Sequence, residues 1–324
     1  REGAAYLGIV KYTYVFFAVT IILLATLRSV ETVKIAFWLS VMAFCVNCCI
    51  NYVLIYGRFG APELGAKGAA IGTLAARIAE CAVLLVYIAK KEKKLHLQLK
   101  DYFRADRLMA GDYFRVCLPM LVVQGLWGLN TALQTVILGH MSAAAIAANS
   151  AASTLFLLVK SMSVGASSTA SVIVGKTIGT GNIPLVKHYS SIMQRMFVVI
   201  GLVSGLLLFL IRIPVMTLYD LSPEGMEMMN TFLIILSVVC VGMSYQMPTN
   251  NGIIRGGGNA MFVVKMDLVS IWMIVIPLSF AMAFVVKASP AVVVCCLNAD
   301  QIFKCVPAFL ESHYGNWIRK LTRE

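Results

Sequence analysis

Charge is scarce in this sequence. Only 13% of the 324 residues are Asp, Glu, Lys or Arg, where ordinary globular domains carry about a quarter. So low a content excludes a soluble core of ordinary kind. Acids are scarcer than bases, 15 against 27, and there are four histidines. His96, His140, His188 and His313 are scattered near span ends or loops. No HExxH, GxSxG or paired His/carboxylate cluster appears, so the machinery of hydrolytic or redox enzymes is lacking. Strict apolar/polar alternation is lacking too. Stretches such as "LVSGLLLFLIRIPVM" do not alternate, which sets aside a transmembrane β-barrel. The nine cysteines lie in apolar segments such as "FCVNCCIN" and "VVVCCLN". Buried cysteine behaves as a small hydrophobe. Cys48–Cys49 and Cys295–Cys296 are neighbours on a helix that point in different directions, so no disulfide, metal site or cofactor is expected.

What is present is hydrophobicity in long runs. Apolar residues make up 60% of the chain. They recur in runs of roughly twenty, the length that crosses a bilayer as a helix. The runs predict an all-α polytopic membrane protein with nine spans at residues 4–27, 33–57, 66–89, 112–139, 145–174, 190–219, 227–254, 260–286 and 290–311. The net charge of +12 gathers between spans, as in "AKKEKKLHLQLK". No aromatic-interleaved basic face accompanies it, so no nucleic-acid partner is expected. One set of connections is rich in Lys and Arg: Arg28 and Lys34, the Lys90–Arg115 cluster, Lys176 and Lys187, Arg255 and Lys265, and the tail "NWIRKLTRE". The other set is short and poor in them. The positive-inside rule puts the first set, and the C-terminus, on the cytoplasmic side of the inner (plasma) membrane.

The order of features repeats. "ILLATLRSVETVK" ends one span, turns at Arg28 and re-enters as another; "TNNGIIRGGGNAMFVVK" does the same at Arg255. Each is followed by an outer loop with a proline, Pro62 or Pro290, and a further span. The second copy has three more spans before it and the first has none. Two halves of six, with the first three spans missing, account for both facts, and the opening "REGAAYLGIV" fits that expectation. Parallel repeats of this kind are common in transporters. The expected organisation is residues 1–90 as the remainder of an N-terminal lobe, 91–111 as a cytoplasmic amphipathic linker, and 112–324 as a C-terminal lobe with a short tail.

Two glycine-rich runs resemble phosphate loops and lack what those loops need. "ASVIVGKTIG" has Ala170 where a Walker A loop requires glycine, and "RGGGN" lacks the Rossmann spacing and the strand–turn–helix context. The polar residues inside the spans remain, and they are costly there and functional by default. Asn47 and Asn51 share a helix face at i, i+4, with Thr73 at similar depth on the next span. They are the candidates for a cation or proton site. Arg77 and Glu80 at i, i+3 are suited to pairing. In the second half Gln124, Trp127 and Asn130 form a polar and aromatic stripe, and Tyr245, Gln246 and Asn250 lie in the inner part of the seventh span. These six are the candidates for a substrate cavity. Asp267 and Asp300 are the carboxylates inside the last two spans, with Asp267 near enough to the inner end for solvation.

Three stretches resemble one family. "NYVLIYGRFGAPELGAKGAAIGTLAARIAE", "SVGASSTASVIVGKTIGTGN" and "NNGIIRGGGNAMFVVKMDLVSIWMIVIPLSF" are similar to helices five to six, the end of helix eight, and helices ten to eleven of the multidrug and toxic compound extrusion (MATE) transporters. Trp317 continues the match. The resemblance implies that the spans are helices four to twelve of a two-lobed, twelve-helix antiporter. Such a protein exports amphipathic organic cations in exchange for H+ or Na+ by alternating access, needs no prosthetic cofactor, and is expected to be a monomer. In one branch the coupling site pairs a helix-one aspartate with an Asn-x-x-x-Asp pattern, which here reads Asn47-x-x-x-Asn51. In the NorM-like branch acids on helices seven and ten matter, and here those spans carry Gln124, Asn130, Gln246 and Asn250. The sequence therefore resembles the DinF-like branch more closely. A lipid-linked sugar flippase of the same superfamily is the alternative, and would need several cavity bases to meet pyrophosphate. A non-catalytic membrane scaffold is the third reading.

Overall fold

The structure is a computed structural model that describes residues 2–30, 32–60, 62–90, 107–219 and 221–318. Residues 91–106 of the expected linker and the end of the basic tail, 319–324, lie outside the described residues. The chain divides into two compact units, Arg1–Asp106 and Arg107–Glu324. The first holds α1 (Glu2–Val10), α2 (Thr13–Ser29), α3 (Lys34–Ile55) and α4 (Ala66–Lys90). The second begins with α5 (Arg107–Met141), α6 (Ala143–Gly179), α7 (Ile183–Met216) and α8 (Pro223–Pro248). It continues with α9 (Ala260–Leu268), α10 (Ile276–Phe280), α11 (Pro290–Leu297), α12 (Asp300–Phe303) and α13 (Cys305–Tyr314).

Among the described residues, eight helical runs are long and apolar enough to cross a membrane. The expected first span, 4–27, is instead two helices. The Thr13 hydroxyl donates to the Val10 carbonyl at 2.6 Å, and the chain turns at Lys11 and Tyr12. The later spans are long but irregular. The seventh closes in a π-helical turn, Thr249–Ile254, and the eighth contains two more, Val269–Val275 and Ala281–Val285. The ninth breaks twice, at Asn298–Ala299 and at Lys304. Proline lies at or near most of these sites: Pro248 before the first π turn, Pro277 just after the second, and Pro307 one turn past Lys304. A proline removes the N–H that its i−4 carbonyl would accept from, so the helix loosens or bends there. At the Asn298 break, the side-chain amide of Asn298 donates to the Val294 carbonyl at 2.9 Å.

Lipid tails are as apolar as leucine, so helices associate in a bilayer by close packing rather than by escape from water. Small residues permit that approach. A Cβ on Gly68 of α4 would stand 2.8 Å from the Leu54 carbonyl of α3, and one on Gly72 would overlap the Asn51 amide. In the second unit Gly201 and Gly205 seat α7 on α8, with the Ser237 carbonyl 2.6 Å from the Cβ that Gly205 lacks. Gly242 does the same for α8 against the Gln301 carbonyl, also at 2.6 Å. Around these contacts Leu208, Met229, Phe232 and Leu233 are fully buried. Leu202, Leu206 and Leu210 of α7 are more than half exposed, as a lipid-facing stripe would be.

The "RGGGN" run is an elbow with a division of labour among its glycines. Gly258 alone takes a positive φ, +103°. Gly256 gives room to Ser171, and Gly257 lies flat against the Trp317 ring. Trp317 is completely buried, and its indole N–H donates to the Ser312 carbonyl at 2.8 Å. Asn259 closes the elbow by donating to Glu311 Oε1 at 2.8 Å. The tight reversal therefore falls to one glycine, and the other two serve packing.

Two substitutions separate close packing from helix propensity. Gly242→Ala should lower stability by about 1–3 kcal/mol through overpacking. Gly125→Ala, with nothing within 4 Å of the new Cβ, should leave it unchanged or raise it by up to about 1 kcal/mol. Thermal unfolding in detergent reads both.

Candidate functional site

The first unit's polar cluster sits on the glycine-mediated contact between α3 and α4. Asn51 Nδ2 donates to Asn47 Oδ1 at 3.0 Å, and Asn47 Nδ2 reaches Thr73 Oγ1 at 3.5 Å. The Thr73 hydroxyl donates back to the Ala69 carbonyl at 2.9 Å. Asn51 Oδ1, pressed over Gly72, is buried without a hydrogen-bond donor. The cluster is neutral and has an acceptor to spare, which suits a cation or a proton donor. Arg77 and Glu80 pair at 2.7 Å on α4, with the carboxylate buried and the guanidinium stacked over the Phe17 ring.

The second unit carries a different construction. Lys304 is nearly buried between two carboxylates, 2.8 Å from Asp267 Oδ1 and 3.0 Å from Asp300 Oδ2. Asp267 comes from α9 and Asp300 from the turn that restarts after the Asn298 break. Asp267 is therefore ion-paired across two spans, where its position alone suggests solvation; its side chain keeps 27% exposure. Three amides run into the cluster. Asn250 Nδ2 donates to Gln246 Oε1 at 3.0 Å, Gln246 Nε2 to Gln301 Oε1 at 2.8 Å, and Gln301 Nε2 to Asp300 Oδ2 at 2.9 Å. The direction of this chain follows from its end. An ionised carboxylate only accepts, so Gln301 must offer its NH2, which leaves its oxygen for Gln246, and so on. The far end, Asn250 Oδ1, is buried with no donor.

The other candidates divide. Tyr245 turns away from Gln246 and donates to Gln194 Oε1 of α7 at 3.1 Å. Adjacent residues on a helix do not share a face, so the inner part of the seventh span serves two neighbours. On α5, Asn130 is buried with Oδ1 unpartnered, while Gln124 and Trp127 are exposed. The Trp127 ring holds a cation already: Lys160 Nζ of α6 lies 4.3 Å from its centroid. Among the described residues no hydrogen bond joins Gln124 or Trp127 to Gln246 or Asn250. Lys304 is the functional candidate that sequence reading overlooks. Its signal is the Asp300-x-x-x-Lys304 spacing, one helical turn in the middle of an apolar run. No spacing signals its second partner, Asp267.

The triad should behave as a unit. Removing one member of a buried ion cluster strands the others, at about 3–5 kcal/mol, whereas an all-neutral set is nearly as stable as the ionic one. Lys304→Met should thus lower the unfolding temperature sharply, and adding Asp267→Asn and Asp300→Asn should restore most of it.

Comparison with known proteins agrees with this helical plan. The MatE family model matches residues 119–281. "Probable multidrug resistance protein NorM" of Streptococcus pneumoniae is 26% identical over 258 residues, 78% of this chain and 56% of that protein. Its namesake in Thermotoga maritima is 23% identical over 325 residues, 98% of this chain and 68% of that protein. The chain thus spans 56% of the length of the first of these relatives. Among solved structures, the Vibrio cholerae MATE transporter VcmN in its bent form aligns with TM-score 0.72 at 15% identity, over 97% of this chain and 69% of that one. A MOP superfamily transporter from Pyrococcus furiosus, described as having a binding pocket of reverse polarity that suggests a different function, aligns with TM-score 0.83 at 16% identity, over 95% of this chain and 68% of that one. With half of its length matched by the family model and the same fold in solved MATE transporters, the chain belongs to the MatE family of multi-pass membrane transporters.

Proposed function

We propose that the protein is a cation-coupled multidrug efflux antiporter of the inner membrane that works by alternating access. Family membership carries the reading, together with relatives named as probable multidrug resistance proteins. Amphipathic organic cations are the proposed substrates, and Trp127, with a cation already on its ring, supports that chemistry. H+ or Na+ is the proposed coupling ion. Asn47, Asn51 and Thr73 are one candidate for its site, resting on the spare acceptor at Asn51. A cytoplasmic C-terminus fits the distribution of Lys and Arg, and a monomer is the proposed state. Kinship with the DinF-like branch rests on the amides at Gln124, Asn130, Gln246 and Asn250. Against a flippase for a lipid-linked sugar, Lys304 is already matched by two carboxylates. The further bases in or near these spans, Lys160, Arg195, Arg212 and Arg255, make a weak case for meeting a pyrophosphate.

Antiport needs the ion and the drug to favour different facing states, because a ligand shifts an equilibrium only by its differential affinity. Cells expressing the protein should accumulate less ethidium than cells without it, and collapsing the ion gradient should abolish the difference. Equal accumulation under all gradients rules out export. Asn51→Asp should shift the pH or sodium dependence of efflux, and an unchanged dependence removes Asn47, Asn51 and Thr73 from the coupling site.

A further inference from the structure

At the end of the spans away from the "RGGGN" elbow, the second unit holds a cavity of about 400 Å³. Sites for small molecules occupy about 300–1,000 Å³. Five parts of the chain close on it: the end of α5, the start of α6, the first two turns of α8, the close of the π turn Ala281–Val285, and the loop that leads into α11. Its walls are apolar and adaptable, with Met141, Met228 and the Phe284 ring. Two charges of opposite sign also line it, Glu224 and Lys287, beside the imidazole of His140. Among the described residues the ion pairs involve neither Glu224 nor Lys287.

Glu224 stands in the first turn of α8, where the helix dipole favours a carboxylate. Lys287 has no such reason for its place. It ends the eighth span: the Ala288 N–H donates back to the Met282 carbonyl at 2.9 Å, and Lys287 between them takes φ +54°. Glycine is the usual residue at such a helix end, because a Cβ is disfavoured at positive φ. Among the described residues only Phe59 shares a positive φ without being glycine. Backbone strain of this kind gathers at ligand sites, and here it carries an ammonium to the cavity. The helix starts beside the cavity have their own caps. Ser142 accepts from the Ala145 N–H at 3.0 Å and Ser222 from the Gly225 N–H at 3.2 Å, so the charge on offer is that of side chains. An aromatic row leads in from the span. The Phe280 and Phe284 rings stack at 4.3 Å, and His140 lies 4.5 Å from Phe284. Phe280 is 52% exposed, so an apolar strip continues from the surface of the span into the cavity.

We infer that this cavity binds a zwitterion with a primary ammonium and a phosphate, the headgroup chemistry of an ethanolamine phospholipid. The ammonium meets Glu224, the phosphate meets Lys287 and His140, and the acyl chains lie along Phe284 and Phe280. The charges of the ligand follow from those of the cavity. Glu224 and Lys287 sum to zero, so a ligand of one sign leaves one of them unmatched, whereas a zwitterion pairs with both. A primary ammonium has three N–H donors for a carboxylate, and a quaternary one has none. The depth follows from the spans, because the cavity lies where the helices end, at the level of headgroups. Glycerophosphoethanolamine offers the same headgroup without tails, and the aromatic row favours the lipid. The site needs only the bilayer and is independent of the drug/ion reading. One molecule bound there ties the end of α5 to the start of α8 and to the loop before α11.

The test titrates purified, delipidated protein in a neutral detergent with short-chain phosphatidylethanolamine, phosphatidylcholine and phosphatidylglycerol of equal chain length. Native mass spectrometry reads the affinity of each. Wild type should bind the ethanolamine lipid at least about threefold more tightly than the other two. Glu224→Gln should weaken it roughly three- to tenfold and erase its lead over the choline lipid. Lys287→Gly should weaken the ethanolamine and choline lipids alike, by a similar factor. The same variant, free of lipid, should unfold at a higher temperature than wild type, because glycine accepts the positive φ. The site is overturned by any of three results: no preference for the ethanolamine lipid in wild type, a lead over the choline lipid that survives Glu224→Gln, or an affinity unchanged in Lys287→Gly. A lipid-free Lys287→Gly that unfolds no later than wild type overturns the argument from strain. Glycerophosphoethanolamine should bind more weakly than the lipid, and equal binding overturns the lipid as source in favour of a soluble zwitterion in the same cavity.

Discussion

The absence of water inside a bilayer governs this structure. Any N–H, C=O or charged side chain in that region must find its partner within the protein. Helices solve the problem for the backbone, which is why the described residues are almost all helix. Where the helix fails, side chains lend bonds: Thr13 donates to the Val10 carbonyl, and the Asn298 amide joins its own backbone N–H on the Val294 carbonyl. The same constraint explains the glycine contacts. Without a hydrophobic drive between helices, backbones must approach until dispersion and carbonyl contacts hold them, and only residues without a side chain allow that at Gly72, Gly205 and Gly242.

The two units meet the constraint differently, and the difference matters for what each can do. In the first, Arg77 and Glu80 pair on a single helix, one turn apart. Such a pair moves with its helix, and only the contact of Arg77 with the Phe17 ring of α2 reaches beyond it among the described residues. In the second, Lys304 ties the ninth span to the eighth through Asp267, and Gln301 ties it to the seventh through Gln246. Any sliding of these spans must break or exchange strong bonds. The backbone around them is also the least regular in the unit, with π turns on two of the spans and breaks in the third. Irregular helix turns are often found at functional sites, and here they flank the ion pairs of Lys304.

Much of this was legible in the sequence, and what was not has a physical cause. Run length and composition give the membrane class and the turns at Arg28 and Arg255, because a bilayer imposes one scale on every span. The i, i+4 pair Asn47 and Asn51 and the i, i+3 pair Arg77 and Glu80 are local, so spacing alone brings them together. Asp267 with Lys304 is not local. A separation of 37 positions conceals the contact, and a lysine in an apolar run reads as a span end when its partner is unseen. Tyr245 and Gln246 appear as one patch in sequence, yet a helix sends them to different neighbours. The irregular turns near Pro248, Pro277 and Pro307 fall inside spans that run length reads as unbroken, because proline alone does not say whether a membrane helix kinks, widens or stops.

Amides stand at the positions where the family resemblance leads one to look for acids: Asn51, Gln124, Asn130, Gln246 and Asn250. An amide can orient a ligand and pass a hydrogen bond along, but it cannot change charge at physiological pH. A proton-coupled transporter needs some group that does. The acids of the second unit's last spans, Asp267 and Asp300, are held by Lys304, and the amides on α8 point their donors at one of them. The amides thus end on Asp300, while Asp267 is held by Lys304. Within the second unit, the amides Asn250 and Gln246 and the charged residues Asp300, Lys304 and Asp267 are then one hydrogen-bonded arrangement, joined through Gln301.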